Sequence, residues 1–414
     1  MARKMKDSGI EWIGEIPEGW EVVPVKRLCT MQAGKNLTSE QIAPEGTYPV
    51  YGGNGIRGFF SDYNCDGQFL TVGRQGALCG NVHKINGKVW ATEHAVITTP
   101  SSYTILDFLY YLLIGMDLNQ YVSSTAAQPG LAVGTLLNLK TCYPCSKLEQ
   151  TQISNYLNAK CAEIDTMLSK TRSSIEEYKK LKQAVITQAV TKGVRGEREM
   201  KDCGVEWAGL VPHHWGVAKI GSIGQTSSGA TPLRSKESSF FDDATIRWVR
   251  TLDLNDGFVY DSSEKITELA LASSACSIMP KGTVCVAMYG GAGTIGKCGL
   301  LMSDCATNQA VCSIVCNRKI VSPIFLLMQL LALKPYWMKY AVGTRKDPNI
   351  SQDIVARMKI LIPPLDEQKE ITDYLDAKCA EIDKLIAKKE QLVKELESYK
   401  KSLIYEVVTG KREV

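Results

Sequence analysis

MKDSGIEWIGEIPEGWEV at Met5–Val22 returns as MKDCGVEWAGLVPHHWGV at Met200–Val217, with ten positions identical, among them Trp12 with Trp207, Pro17 with Pro212 and Trp20 with Trp215. Chance does not produce such a match, so the chain is an internal duplication, and a repeat outranks any local pattern when a fold is read. A second pair lies about 218 residues apart: EQTQISNYLNAKCAEID (149–165) and EQKEITDYLDAKCAEID (367–383) share the run AKCAEID. Between these markers ATEHAV (91–96) faintly matches ATNQAV (306–311). Each half, roughly 1–197 and 198–414, therefore runs from a tryptophan-rich lead segment through a variable domain to a polar, helical segment. A period near 200 residues means two domains, neither a solenoid nor a propeller.

The polar segments carry the clearest periodicity. Leu157, Cys161, Ile164, Leu168, Ile175, Tyr178, Val185 and Ala189 step by threes and fours with gaps at Thr171 and Lys182. Leu375, Cys379, Ile382, Ile386, Val393, Leu396, Leu403 and Val407 repeat the seam, with Lys389 and Lys400 in the gaps. Gly193 and Gly410 stand where C-terminal caps belong. Helices of about 40 residues would be roughly 60 Å long and need a partner. The simplest solution packs the two copies on each other, antiparallel and with pseudo-two-fold symmetry; the alternative packs each on its own domain.

The variable domains read as short strands, glycine turns and a few helices. QFLTV (68–72) leads into the turn GRQG, and TVCVAMYGG (283–291) copies the plan ahead of CATNQAVCSIV; the apolar stretches Ile105–Met116 and Ile324–Leu333 read as buried helices. The expected fold is α+β. Its segments are 1–147 (lead and first variable domain), 148–197 (first long helix), 198–364 (lead copy and second variable domain) and 365–414 (second long helix).

With 44% apolar and 22% charged residues, 414 residues supply ample core for a soluble globular protein. No apolar run reaches a membrane span and the N-terminus lacks a signal-peptide core, so a cytoplasmic location is expected. Fourteen cysteines then read as reduced, mostly buried thiols. Zinc is the sharper alternative, but Cys142 and Cys145 form a lone CxxC among four histidines. The formal charge is +4; Lys plus Arg against Asp plus Glu is balanced at 12 to 12 for residues 1–147 but 16 to 11 for 210–364.

Catalytic motifs fail on inspection. GAGTIGKC (291–298) satisfies GxGxxG and nearly matches a phosphate loop, but Cys298 stands where a magnesium-binding hydroxyl is needed, and CGLLMSD reads as a strand and turn. A strand–turn–strand connection is the better reading. The only Pro-Pro, Pro363-Pro364, precedes Leu365 and lacks the aromatic residue of an adenine-flipping loop. His83, His94, His213 and His214 assemble into no triad.

Recognition chemistry remains. YGGNGIRGFF (51–60) and GRQG (73–76) present Asn54, Arg57, Arg74 and Gln75 on glycine-flexed backbone, and Arg and Gln are side chains that pair bidentately with guanine and adenine edges. SSGATPLR (227–234), RWVR (247–250) and GTRKDPNIS (343–351) add Thr231, Arg234, Arg250, Arg345, Lys346 and Asn349 for phosphate or base contacts. Each alone reads more simply as a solvated or turn residue; the set is stronger than its members.

Over its whole length the chain resembles the specificity subunit of type I restriction-modification systems. The resemblance rests on the duplicated lead motif, YPVYGGNGIRGFF, GRQGALCGN, SGATP, and GTRKDPNIS followed by IPPLDEQ and the long helix; PCSKLEQ (144–150) departs from the family's IPPLxEQ form. It implies a non-catalytic chain with two target-recognition domains, each reading one half of a bipartite double-stranded DNA site, on an antiparallel coiled coil that acts as a spacer. It further implies two methyltransferase subunits carrying S-adenosylmethionine, motor-nuclease subunits using ATP and Mg, and no cofactor in this chain. A protein-interaction scaffold without DNA and a complete modification enzyme are the rival readings.

Overall fold

A computed structural model of the protein describes residues 3–75, 79–122, 130–291, 293–343 and 348–414. Two compact units emerge, and they do not follow the linear order of segments. The first unit joins Met1–Ser173 to Glu390–Val414, and the second is Ser174–Lys389. The two long helices, Lys147–Lys192 and Leu365–Val408, each contribute one part to each unit.

Within the first unit the seam residues Leu157, Cys161, Ile164 and Leu168 share a core with Leu403, Ile404, Val407 and Val408. Lys400 reaches Asp165 at 2.6 Å and Arg172 reaches Glu397 at 2.5 Å, so the two segments run in opposite directions. In the second unit Lys182 meets Asp383 at 2.7 Å while Arg195 meets Glu370 at 2.8 Å, the same opposed order. The gap lysines of the seam thus have a use: Lys182 and Lys400 swing out to a carboxylate on the facing helix, and Lys389 lies 5.7 Å from the Tyr178 ring.

Each lead segment is a small antiparallel hairpin, Met5–Asp7 on Glu15–Pro17 and Met200–Asp202 on Leu210–Pro212. The strand that follows pairs with the strand entering the long helix of its own half: Trp20–Pro24 with Lys140–Pro144, and Gly216–Lys219 with Lys359–Ile362. The repeated Glu-Gln then closes the joint. Glu149 accepts from the Trp20 indole at 3.0 Å and is paired with Arg3; Glu367 accepts from the Trp215 indole at 3.0 Å and from Arg198 at 2.9 Å. Gln150, fully buried, accepts from Ile105 N and donates to the carbonyls of Tyr103 and Pro144. Gln368 repeats this with Ser322 N, Ile320 O and Pro363 O. A buried amide that satisfies three backbone groups fixes how the variable domain leaves the helix. Gly410, at φ +74°, brings the end of the second long helix against Pro17 and Trp20, where a Cβ would stand 2.4 Å from Pro17 Cδ.

The first variable domain holds a four-stranded antiparallel sheet. Its strands are β1 (Cys29–Ala33), β4 (Gln68–Gly73), β5 (Val82–Asn86) and β7 (Ala95–Pro100), in the order β1-β7-β4-β5. A smaller sheet adds β2 (Tyr48–Gly52), β3 (Gly55–Phe60) and β6 (Trp90–Ala91), with β2 parallel to β6. Leu70, Val72 and Val96 face the buried helix Leu106–Gly115, whose Phe108, Leu109 and Leu112 complete that core.

The second variable domain repeats the plan on a five-stranded sheet of β8 (Gly224–Ser228), β10 (Gly257–Val259), β11 (Val284–Ala287), β12 (Cys298–Leu301) and β14 (Val311–Cys316), ordered β8-β14-β11-β12-β10. A second sheet contains β9 (Ile246–Val249) parallel to β13 (Cys305–Thr307). The helix Pro323–Leu333 covers the larger sheet through Phe325, Leu326 and Leu330. This is the mixed helix and sheet expected of two duplicated domains.

GAGTIGKC is a connection between β11 and β12: Gly290, Gly291 and Gly296 all have positive φ, and a Cβ on Gly296 would lie 2.1 Å from the Trp337 ring. Residue 292 lies outside the described residues. Cys298 opens a buried strand rather than a helix. All fourteen cysteines are free thiols; Cys142 is buried, which pushes its thiol up to about 12, whereas Cys145 is exposed. Among the described residues no His, Cys, Asp or Glu cluster is placed to hold a metal, and no helix is long and apolar enough to cross a membrane.

Candidate nucleic-acid interface

The faint marker Ala-Thr-x-x-Ala-Val is the turn around which each variable domain gathers its loops. In the first unit Lys35 N donates to Ala91 O and Thr92 N to Tyr51 O, both at 2.9 Å. In the second, Ala230 N donates to Thr307 O at 3.1 Å and Asn308 N to Val249 O at 3.0 Å. Glycine makes the approach possible. A Cβ on Gly34 would lie 2.2 Å from Ala91 O, and one on Gly229 would lie 1.8 Å from Thr307 O.

Two of the four sequence-predicted residues of the first domain, Arg74 and Gln75, gather at this turn, and the other two, Asn54 and Arg57, sit on the adjoining hairpin. Arg74 N donates to His94 O at 3.1 Å, and Leu131 N donates to Arg74 O at 2.8 Å. Gln75 bridges Gly130, and its carbonyl sits against Gly53. Asn54, exposed at the tip of the β2–β3 hairpin, accepts from Asn81 Nδ2 at 3.0 Å. Arg57 is exposed on β3, its aliphatic stem lying over Gly52. Among the described residues the buried Arg74 Nε has no hydrogen-bond partner, nor does the His83 Nε2 beside Gly55. Burial pulls the His83 pKa down and favours the neutral ring.

The second domain divides its predicted residues. Thr231 is hydrogen-bonded to Gln309 of the marker turn. Asn349 pairs with Val342, and the next residue, Ile350, donates to Met288 O at 3.0 Å at the end of β11. Arg234 and Arg250 are engaged by a carboxylate and a ring instead. Both bind Glu264, at 2.7 and 2.5 Å, and both lie over Trp248, at 5.7 and 5.9 Å from its ring centre. Their first role is to knit a satellite core of Phe240, Trp248, Ile266 and Ala306. Arg345 and Lys346 lie outside the described residues.

Four side chains missed by composition-based reasoning occupy the centre of the turns: Glu93 and His94 in one, Asn308 and Gln309 in the other. His94 Nε2 is 3.1 Å from Glu93 Oε1, and Asn308 Oδ1 accepts from Ala310 N at 3.1 Å. Their signal was the repeat itself, in which the flanking Ala, Thr, Ala and Val recur while the two middle residues differ.

The family described as "Type I restriction modification DNA specificity domain" matches residues 17–177 and again 212–395. The chain belongs to this family. The EcoprrI specificity subunit of Escherichia coli is 44% identical over 121 residues, 28% of this chain and 30% of that protein. The MjaVIII specificity subunit of Methanocaldococcus jannaschii is 23% identical over 419 residues, covering 96% of this chain and 93% of its own. A chain solved in work on complex assembly and conformational transition of the type I R-M system has the same fold: TM-score 0.70 at 14% identity, covering 96% of this chain and 99% of that one. This specificity subunit is therefore a non-catalytic DNA-recognition subunit.

Proposed function

We propose that the specificity subunit reads a bipartite double-stranded DNA target, one half-site per variable domain, and supplies the address for enzymes carried by other chains. The observation that carries this reading is the recurrence of one turn in two settings. A related glycine-permitted turn presents Glu93-His94 with Asn54, Arg74 and Gln75 in one unit, and Asn308-Gln309 with Thr231 and Asn349 in the other. Related scaffolding, its bonds displaced by one residue, with different hydrogen-bonding groups suits two different base sequences. Arg57, Arg345 and Lys346 would add phosphate or base contacts, and Arg234 and Arg250 would do so or hold the loop around Trp248.

The two long helices, read as an antiparallel coiled coil with pseudo-two-fold symmetry, would set the spacer. Together with the lead segments they would seat two methyltransferase subunits, to which motor-nuclease subunits add. S-adenosylmethionine, ATP and Mg would belong to those partners, working on DNA in the cytoplasm. The excess of basic over acidic residues in 210–364, 16 to 11, favours DNA over a pure protein scaffold.

Co-expression with a methyltransferase partner and single-molecule mapping of methylated adenines tests this. A split motif that disappears without this chain is expected, and exchanging residues 17–147 for those of a relative should change one half-site alone. Methylation that ignores the chain, with partner binding confirmed, would overturn it.

A further inference from the structure

The loops beside the two marker turns carry aliphatic side chains that hydrogen-bond readout leaves unused. Ile56 on β3 is 59% exposed, and among the described residues of the first variable domain no other large aliphatic side chain is so open. Leu252 is 76% exposed, more than any other large apolar residue described.

They follow corresponding strands of the duplicated plan, Ile56 on the returning strand of a hairpin and Leu252 in a turn. Tyr51 pairs with Ala91 and Trp248 with Ala306, both in parallel register; Ile56 follows Tyr51 by five residues and Leu252 follows Trp248 by four. Both stand on pinned backbone. Ile56 is paired across the hairpin with Tyr51. Leu252 caps a turn in which Arg250 N donates to Asp253 Oδ2 at 2.7 Å, Asp253 N to Arg250 O at 3.0 Å and Ser263 N to Asp253 Oδ1 at 2.9 Å.

A single exposed aliphatic residue is ordinary on any surface. Recurrence just beyond corresponding strands of a duplicated fold, on hydrogen-bonded backbone and among base-competent polar groups, is not accounted for that way. The thymine C5-methyl is the apolar group that base edges offer in the major groove. We propose that Ile56 and Leu252 each pack on a thymine methyl, one in each half-site, and so contribute specificity that no hydrogen bond supplies. This rests on the DNA-reading function proposed above.

The test uses the full chain with its methyltransferase partner and the target found by methylation mapping. Each thymine of a half-site is replaced singly by deoxyuridine, which removes the methyl and keeps every hydrogen bond. One position per half-site should lose about four-fold in affinity, from ~0.8 kcal/mol per buried methyl. Ile56→Ser should cost about the same on unmodified DNA and abolish the response at one half-site, and Leu252→Ser at the other. A half-site without thymine, deoxyuridine tolerated throughout, or an Ile56→Ser complex that keeps its methyl response would each overturn the inference. A wedge between base steps, which also uses apolar tips, would show as DNA bending lost in the serine variants with deoxyuridine tolerated. Failure of the unmodified complex to bind its mapped target specifically would instead sink the underlying reading.

Discussion

The two joints between lead segment and long helix are built to one plan yet weighted differently. In the first, Glu149 answers to Trp20 and Arg3, and its side chain is 29% exposed. In the second, Glu367 is 4% exposed and receives Trp215, Arg198 at 2.9 Å, Arg195 at 3.1 Å and His214 at 2.6 Å. Duplication preserved the tryptophan, the carboxylate and one arginine, then surrounded the second carboxylate with two further cationic or protonatable groups. A carboxylate kept at a joint by hydrogen bonds can therefore become the centre of a buried charge network without any change in fold, and its removal then has a different consequence.

The largest expected effect follows directly. Glu367→Ala strands Arg198, itself mostly buried, and should cost about 3–5 kcal/mol in urea unfolding, because a buried charge that loses its partner is penalised far beyond one hydrogen bond. Glu149→Ala leaves Arg3 exposed enough to be hydrated and strands only the neutral, buried Trp20 indole, and should cost about 1–2 kcal/mol. Equal losses would break the comparison. The glutamines beside them should show no such asymmetry: Gln150→Leu and Gln368→Leu each strand three backbone groups in the same geometry, and each should cost about 2–3 kcal/mol.

Much of this was legible before any coordinates. The duplicated lead motif, the heptad seam and the two apolar stretches became the joints, the long helices and the buried helices of each variable domain, because periodicity and repetition are local properties that packing had no reason to override. The division into units was not legible. Helical periodicity states that a helix needs a partner, not that the segment ending near Ser173 shares a unit with the one beginning near Glu390. The interface was half legible for a similar reason. Glycine-rich loops marked where Asn54 and Arg74 would gather, but nothing local to Arg250 announces that Glu264, across a strand pair, will claim its guanidinium.

Next in size are the glycines of the reading turns. Gly34→Ala and Gly229→Ala would each drive a Cβ into a backbone carbonyl, so the turn must shift at a cost of about 1–3 kcal/mol. In filter-binding measurements each should weaken recognition of its own half-site alone. Loss at both half-sites would mean that the turns do not act separately.

Acid probes the second joint through a smaller effect. Burial raises the Glu367 pKa, yet the bonds from His214, Arg198 and Trp215 outweigh it and hold the carboxyl below the usual value of about 4.3. A carboxylate with a depressed folded-state pKa stabilises fully above its unfolded value and loses that contribution as pH falls through the folded value. Unfolding midpoints of the native protein should thus drop below about pH 4.3, and Glu367→Gln should flatten that limb. An unchanged acid limb in Glu367→Gln would place the titrating group elsewhere.

The smallest effect belongs to the seam, where symmetry holds best. Lys182 on Asp383 and Lys400 on Asp165 are the same pair 218 positions apart, each lysine about one-third exposed and each aspartate about half exposed. Water and salt screen such pairs, which contribute about 0–1 kcal/mol. Both lysines also sit at seam positions where an apolar side chain would gain contact with the facing helix. Lys182→Met and Lys400→Met should therefore be neutral or slightly stabilising, and equal to each other within about 0.5 kcal/mol. The aspartates left behind are exposed enough to be rehydrated, which is the condition Glu367 and Arg198 do not meet. If one lysine proved costly and the other did not, the asymmetry between the halves would reach beyond the joints into the helices, and the seam would no longer serve as the symmetric reference against which the joints are compared.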